Sequence, residues 1–189
     1  MNKLMTIPLL GASALALAAC GGGETASTEA ATSNPITIEE VEAAQTAWGE
    51  GIVAIGQVFT DEGDYSARAA EHIATHYAYD DDATILFKPT LAAEDQFRET
   101  TEEALSYFVG TEGTEDGGFA IAPYSAVRWE NNGTVISDGG DMAVAMGNYF
   151  FTGSDGGETK VEYSFAYEKD ENGDLKIVLH HSSLPFSGG

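Results

Sequence analysis

The sequence predicts an α+β fold in which N-terminal helices pack on a curved, mostly antiparallel sheet. Apolar residues first recur at helical spacing, whereas strand-like runs separated by short turns follow from Phe119 onward. Helices first, one strand and one helix between, and then a run of long strands is an α+β order. The chain has 189 residues, and we expect a single α+β domain at 35–189.

The residues before this domain predict export. A short basic start precedes an apolar stretch at 4–19, and Leu17-Ala18-Ala19-Cys20 resembles a bacterial lipobox. We therefore predict a lipoprotein signal peptide at 1–19, lipidation of Cys20 and a flexible tether at 20–34. The mature protein would be lipid-anchored to a bacterial membrane, facing the periplasm or the cell exterior. An ordinary signal peptide with an incidental cysteine is the alternative.

The charge, the cysteine content and the apolar runs of the sequence exclude several kinds of partner and structure. The formal net charge is −23 and no basic stripe is present, which argues against a nucleic-acid partner. Cys20 is the only cysteine, so no disulfide forms within one chain. No second long apolar run follows the signal, so the sequence predicts no transmembrane helix.

Three helices and one strand are predicted in the first part of the domain. Thr37 and Glu40 form a capping-box signature, and helical periodicity continues to about residue 60. A second helix is predicted at 65–79 and a short strand at 83–88, ended by Pro89. Thr100 and Glu103 begin a third helix, which ends near residue 110, and 110–118 is a loop.

The second part of the domain predicts an antiparallel meander. Strands are expected at 121–130, 134–138, 142–152 and 159–168, followed by the final strand from residue 176. Asn132-Gly133 and Asn172-Gly173 are typical of hairpin turns between such strands.

The final strand carries the sequence Leu179-His180-His181-Ser182-Ser183. Strand side chains alternate between faces, and Lys176 favours water, so the face with His181 and Ser183 is predicted to point inward. A register error would instead place His180 and Ser182 inside. Alternatively, these residues have only a structural role, in which they end the strand and hydrogen-bond to neighbouring groups.

Two other patterns favour structural roles. His72 and His76 have the helical spacing of metal ligands, but no glutamate follows the first histidine and no cysteine assists, so packing is favoured. Residues 170–174 mimic the start of a calcium loop but lack its spacing and closing glutamate, so a hairpin turn is predicted. Thr90, after Pro89, and Tyr107, on the third helix, could face a pocket, stabilise a turn or lie in the core.

Four segments together resemble the iota-class carbonic anhydrases. They are Phe87-Lys88-Pro89-Thr90, Glu102-Glu103-Ala104-Leu105-Ser106-Tyr107-Phe108, Ala145-Met146-Gly147-Asn148-Tyr149-Phe150-Phe151 and Leu179-His180-His181-Ser182-Ser183-Leu184-Pro185. The wider group is related to the calcium/calmodulin-dependent kinase II association domain, in which a basic residue commonly stands at the position of His181. The histidine therefore favours the enzyme branch, and the resemblance covers roughly 37–186.

The resemblance implies the cone-shaped fold of nuclear transport factor 2, usually as a homodimer, and reversible hydration of carbon dioxide to bicarbonate. Members are described as metal-free or as metal-dependent, and we predict a carbonic anhydrase, a carbon–oxygen lyase, without a metal cofactor. The implied catalytic residues are Thr90, Tyr107, His181 and Ser183. The three hydroxyls would bind water and the bicarbonate oxygens, and His181 would accept or relay the proton. Three other tyrosines could replace Tyr107 in the pocket: Tyr124, Tyr149 and Tyr163.

Two alternatives share this fold. One is a non-catalytic module for binding a small anion or metabolite, or for oligomerisation. The other is an enzyme similar to ketosteroid isomerase, which needs a buried carboxylate base opposite a tyrosine.

Overall fold

A computed structural model describes residues 34–79 and 85–188 and confirms the α+β prediction. Its helices are α1 (Ile38–Thr60), α2 (Tyr65–His76) and α3 (Thr101–Val109), with a 3₁₀ turn at Phe119–Ile121. Its strands are β1 (Leu86–Lys88), β2 (Ala126–Ile136), β3 (Met142–Thr152), β4 (Glu158–Lys169) and β5 (Leu175–Ser183). The predicted signal peptide, Cys20 and tether residues 20–33 lie outside the described residues.

The five strands form one mixed sheet in the order β1-β5-β4-β3-β2. Only β1 pairs in parallel, with β5, and the other three pairings are antiparallel. Helix α1 packs against the sheet through buried residues that include Trp48, Ile52 and Ile55. A side chain at Gly49 would place its Cβ 3.0 Å from the Cβ of Val127 in β2, so this glycine permits the close approach. Among the helices of the described ranges, none is long and apolar enough to span a bilayer.

Both predicted capping boxes are present. The Thr37 hydroxyl accepts from the Glu40 N–H, and Thr100 does the same for Glu103 at the start of α3. Helix α2, however, ends at His76 rather than at residue 79. Tyr77 is extended (φ −111°, ψ 148°) and forms an isolated parallel bridge with Ile177 of β5. Pairing with the sheet edge therefore takes Tyr77 out of the helix.

The predicted hairpin at Asn132-Gly133 is wrong. Strand β2 runs through this dipeptide with a register irregularity between Asn131 and Gly133, and the turn to β3 follows Ile136. Gly147 of β3 faces the irregularity, and a Cβ there would meet the Glu130 carbonyl oxygen. A bulge opposite a glycine bends a strand without ending it, which lets β2 continue around α1.

Strand β5 also contains an irregularity, and it decides which residues face the interior. Ala166 of β4 pairs with Leu179, but Tyr167 pairs with Ile177, so Val178 is an extra residue. The extra residue inverts the alternation beyond it, because strand side chains have a period of two. Ile177, His180 and Ser182 are consequently buried.

The inward orientation predicted for His181 and Ser183 is therefore wrong. His181 is exposed and Ser183 is half-buried, and the alternative register is the one observed. Lys176 does point away from the core. Because the bulge at Val178 lies between them, however, Lys176 and His180 are on opposite faces of β5.

Candidate active site

A small enclosed pocket lies between α1, α3 and the sheet. Its cavity volume is about 70 Å³, enough for a few water-sized molecules. Most of its wall is apolar and is formed by Trp48, Phe87, Leu91, Phe108, Phe119, Phe151, Val161 and Leu184. The polar lining residues are Thr90, Tyr107, Tyr124, Tyr149, Thr159, His180 and Ser182. Such a pocket suits a small uncharged molecule that is held by a few hydroxyls.

Thr90 and Ser182 meet at one side of this pocket. Strand β1 lies parallel to β5 with Phe87 paired to His180, so the chain leaves β1 at Pro89 beside Ser182. The two hydroxyl oxygens are 2.9 Å apart and hydrogen-bonded. The predicted pocket position of Thr90 is thus observed, with Ser182 rather than Ser183 as its partner.

His180 is enclosed by aromatic rings. Its imidazole stacks on Phe87 with centroids 4.6 Å apart and meets the edge of Phe165 at 4.1 Å. Only 3% of the residue is exposed. Burial, followed by the nearby His181, lowers the pKa of His180 well below its ordinary value, so the ring is neutral at physiological pH.

Three phenols reach the pocket lining. Tyr107 comes from α3, and burial raises its pKa far above the ordinary value, although the adjacent Leu91 backbone opposes this. Burial likewise raises the pKa of Tyr149 and of Tyr124. All three hydroxyls therefore keep their protons and can donate hydrogen bonds. Tyr163 does not line this pocket but bonds to Gln45.

His181 and Ser183 lie on the other face of the sheet. They line a shallow surface depression with Glu162, whose carboxylate accepts a hydrogen bond of 3.2 Å from the Ser183 hydroxyl. Neither residue belongs to the pocket that contains Thr90 and Tyr107. The four residues predicted as a catalytic set are thus divided between two faces.

A buried arginine holds the segment that carries Thr90 and Leu91. The Arg98 guanidinium is 2.6 Å from the Asp116 carboxylate, which also accepts from Ser106 of α3. The Arg98 backbone N–H donates to the Phe87 carbonyl of β1, 2.9 Å away. These bonds tie the loop after β1 to α3. Sequence reasoning missed Arg98, because nothing local distinguishes it from a surface arginine.

The described residues lack the groups that an isomerase base or a metal site would need. The pocket lining has no aspartate or glutamate, so the base of an isomerase is missing there. No group of three or more histidine, cysteine, aspartate or glutamate side chains in 34–79 and 85–188 is placed to hold a metal. His72 and His76 lie with ring centroids 4.5 Å apart, and residues 170–174 form the predicted hairpin turn.

Comparisons with known proteins agree with this geometry. The profile of a family described as metal-independent carbonic anhydrase matches residues 39–184. A metal-independent carbonic anhydrase from Nostoc sp. is 41% identical over 155 residues, covering 80% of this chain and 75% of the relative.

Solved structures give the same result. A cyanobacterial iota-carbonic anhydrase, crystallised with bicarbonate, superposes with a TM-score of 0.77 at 39% identity, covering 82% of this chain and 95% of that chain. A Xanthomonas campestris protein assigned to the calcium/calmodulin-dependent protein kinase II association domains superposes with a TM-score of 0.51 at 22% identity. That alignment covers 77% of this chain and 86% of the other, and it shows a shared fold.

Proposed function

Because the chain belongs to the family of metal-independent carbonic anhydrases, we propose that it catalyses the reversible hydration of carbon dioxide to bicarbonate in the pocket described above. The contact between the Thr90 and Ser182 hydroxyls, 2.9 Å apart inside a mostly apolar pocket, carries the proposal. The family description agrees with the sequence prediction of a site without a metal cofactor.

The pocket has groups for both reactants. Carbon dioxide is uncharged and apolar, and the aromatic and aliphatic walls contact it without competing for hydrogen bonds. Bicarbonate has three oxygens that need donors as charge develops on them. Thr90, Ser182, Tyr107 and Tyr149 supply fixed hydroxyls for these oxygens and for the attacking water, which is positioning combined with electrostatic stabilisation.

A pair of serine variants tests the site. Ser182→Ala is expected to lower kcat/KM for carbon dioxide hydration by about 10²-fold, the usual loss on removing one donor to a developing charge. Ser183→Ala makes the same chemical change one residue away, on the opposite face of β5, and is expected to leave the rate unchanged. Stopped-flow hydration assays on the domain at 35–189 provide the measurement.

The results separate the candidate functions. Loss of activity in the Ser183 variant alone would show that the active site lies on the outer face of the sheet. A wild-type protein that binds bicarbonate but accelerates hydration no more than buffer would indicate a non-catalytic binding module.

We also propose that the protein is exported and anchored to a bacterial membrane through lipidated Cys20, with residues 20–34 as the tether. The support is the sequence Leu17-Ala18-Ala19-Cys20 after a short basic start and an apolar stretch. In a bacterial host, Cys20→Ser is expected to move the protein from the membrane fraction to the soluble fraction or leave it unprocessed. Equal membrane association of both forms, with the Cys20→Ser protein cleaved to the mature length, would contradict the anchor.

Finally, we propose that the domain acts as a homodimer, as the family resemblance implies. The outer face of β2 and β3 carries four exposed apolar residues: Val135, Met142, Val144 and Met146. Exposed apolar patches of this kind are typical of protein interfaces.

A further inference from the structure

A row of four hydrogen-bonding side chains connects α1 with strands β5 and β3 beside the pocket. The indole N–H of Trp48 donates to the Tyr77 hydroxyl over 3.1 Å. The same hydroxyl lies 2.8 Å from Nδ1 of His180. His180 Nε2 is 3.5 Å from the Tyr149 hydroxyl, and His180 and Tyr149 both line the pocket.

The proton positions along this row follow from which groups can donate. The indole can only donate, so the Tyr77 oxygen accepts from Trp48. Burial raises the pKa of Tyr77 well above its ordinary value, so the phenol keeps its proton. In the described residues, His180 Nδ1 is the one acceptor within hydrogen-bonding distance of that hydroxyl. Tyr77 is only 2% exposed, so water does not provide another.

The opposite arrangement has an energetic penalty. If Nδ1 carried the hydrogen, the Tyr77 oxygen would accept two bonds while its own O–H found no acceptor. Leaving a buried donor unsatisfied costs about 1–3 kcal/mol. A neutral imidazole with an unprotonated Nδ1 must carry its hydrogen on Nε2.

We infer that Tyr77 is a positioning residue that fixes His180 in the Nε2–H tautomer, so that the imidazole presents a hydrogen-bond donor to the pocket. The 3.5 Å separation from Tyr149 is long for a hydrogen bond, which leaves this N–H available to an oxygen of the substrate or product. His180 then stabilises an oxygen of bicarbonate and does not accept the proton of the attacking water at Nε2. That proton leaves through the hydrogen-bonded Thr90 and Ser182 hydroxyls to solvent water, since Thr90 is partly exposed. The catalytic part of this inference rests on the proposed function, whereas the tautomer does not.

Nitrogen-15 NMR of the histidine rings measures the tautomer directly, without an activity assay. The chain has four histidines, and the His180 signals are assigned by their loss in His180→Gln. In the wild-type domain we expect Nδ1 to give the signal of an unprotonated, hydrogen-bonded nitrogen and Nε2 that of a protonated one. A wild-type spectrum with the hydrogen on Nδ1 would overturn the inference, whether or not the protein hydrates carbon dioxide.

Tyr77→Phe tests the positioning role. Removing the hydroxyl should shift the Nδ1 signal away from its hydrogen-bonded value. It should also lower kcat about tenfold or more, the lower end of the loss found for groups that orient metal-bound histidines. Tyr167→Phe is the matched control, because this ring is similarly buried, at 1% exposed, but its hydroxyl is not bonded to His180 in the described residues. It should leave both the ring signals and kcat unchanged.

The pair of measurements separates two failures. A Tyr77→Phe protein with unaltered His180 signals and full activity would overturn the inference while leaving the proposed reaction intact. Absence of hydration activity in the wild-type protein would overturn the proposed reaction while the NMR result still decides the tautomer. If Tyr77→Phe does not fold, the wild-type spectrum alone decides.

Discussion

His72 is a buried residue whose ionisation opposes folding. It is 1% exposed, and neither ring nitrogen has a hydrogen-bond partner in the described part of the chain. Burial, and then the neighbouring His76 and Arg68, lower its pKa well below the ordinary value. His76, on the next turn of α2, has its pKa lowered to about 4. Both side chains are neutral in the folded protein at neutral pH.

Acid should therefore destabilise the domain before its carboxylates titrate. The unfolded chain binds protons at these histidines below about pH 6.5 and the folded chain does not, so stability falls as the pH is lowered from there toward the folded pKa. Each such histidine contributes up to about 1.4 kcal/mol per pH unit in that window.

Substitution of His72 tests this origin of acid sensitivity. Between pH 7 and pH 5, His72→Leu should show a smaller loss of unfolding free energy in urea than the wild-type domain, since one buried ionisable group is gone. Ile73→Val, on the buried face of the same helix, serves as the comparison, because it lowers stability without removing an ionisable group and should keep the wild-type slope. Identical slopes for the His72 variant and the wild type would show that the ring gains no protons on unfolding.

Individual residues of the site differ in how far the sequence predicts them. Thr90 and Tyr107 were implied by family resemblance, and both line the pocket. The sequence predicts Tyr77 within a helix at 65–79 and so does not place it beside the sheet, whereas the helix ends at His76. Tyr77 and Tyr79 in fact alternate with small and polar residues, which is the periodicity of extended chain. The signal was present but too short to outweigh the preceding helix.

At the scale of elements, the two main errors have one physical cause. A bulge adds a residue to one strand only, and it depends on what the partner strand offers at that position. Asn132-Gly133 is typical of a hairpin turn, but Gly147 lies opposite and gives the β2 backbone space to continue. Val178 has strong strand propensity and nothing local marks it as the extra residue of β5. Local sequence therefore predicts that strands exist here but not their register.

The bulge in β5 also links element geometry to the site. Without the extra residue at Val178, the period of two would turn His181 and Ser183 inward, as the sequence alone suggested. With it, His180 reaches Tyr77, and Ser182 reaches Thr90. One residue of register thus determines which member of each His-His and Ser-Ser pair enters the pocket.

At the scale of the molecule, charge limits how two copies can meet. The chain has a formal net charge of −23, so two domains repel unless they approach through uncharged surface. Val144 on the outer face of β3 is 43% exposed and pairs with Val135, which is 73% exposed. The neighbouring Met142 and Met146 are also uncharged, so this patch is where a second copy fits the charge constraint.

If the proposed dimer forms through this patch, Val144→Glu should convert it into a monomer, because the variant places a new negative charge in the apolar contact of an already acidic pair. Light scattering coupled to size-exclusion chromatography gives the mass, and raising the salt concentration should partly restore the wild-type association by screening the repulsion. Ile38→Glu is the control: Ile38 is similarly exposed, at 46%, but lies at the start of α1 rather than on the sheet. A wild-type domain that elutes as a monomer, or a Val144 variant that remains dimeric while the Ile38 variant dissociates, would place the interface elsewhere. Because the pocket is enclosed within one chain, the monomeric variant should still hydrate carbon dioxide.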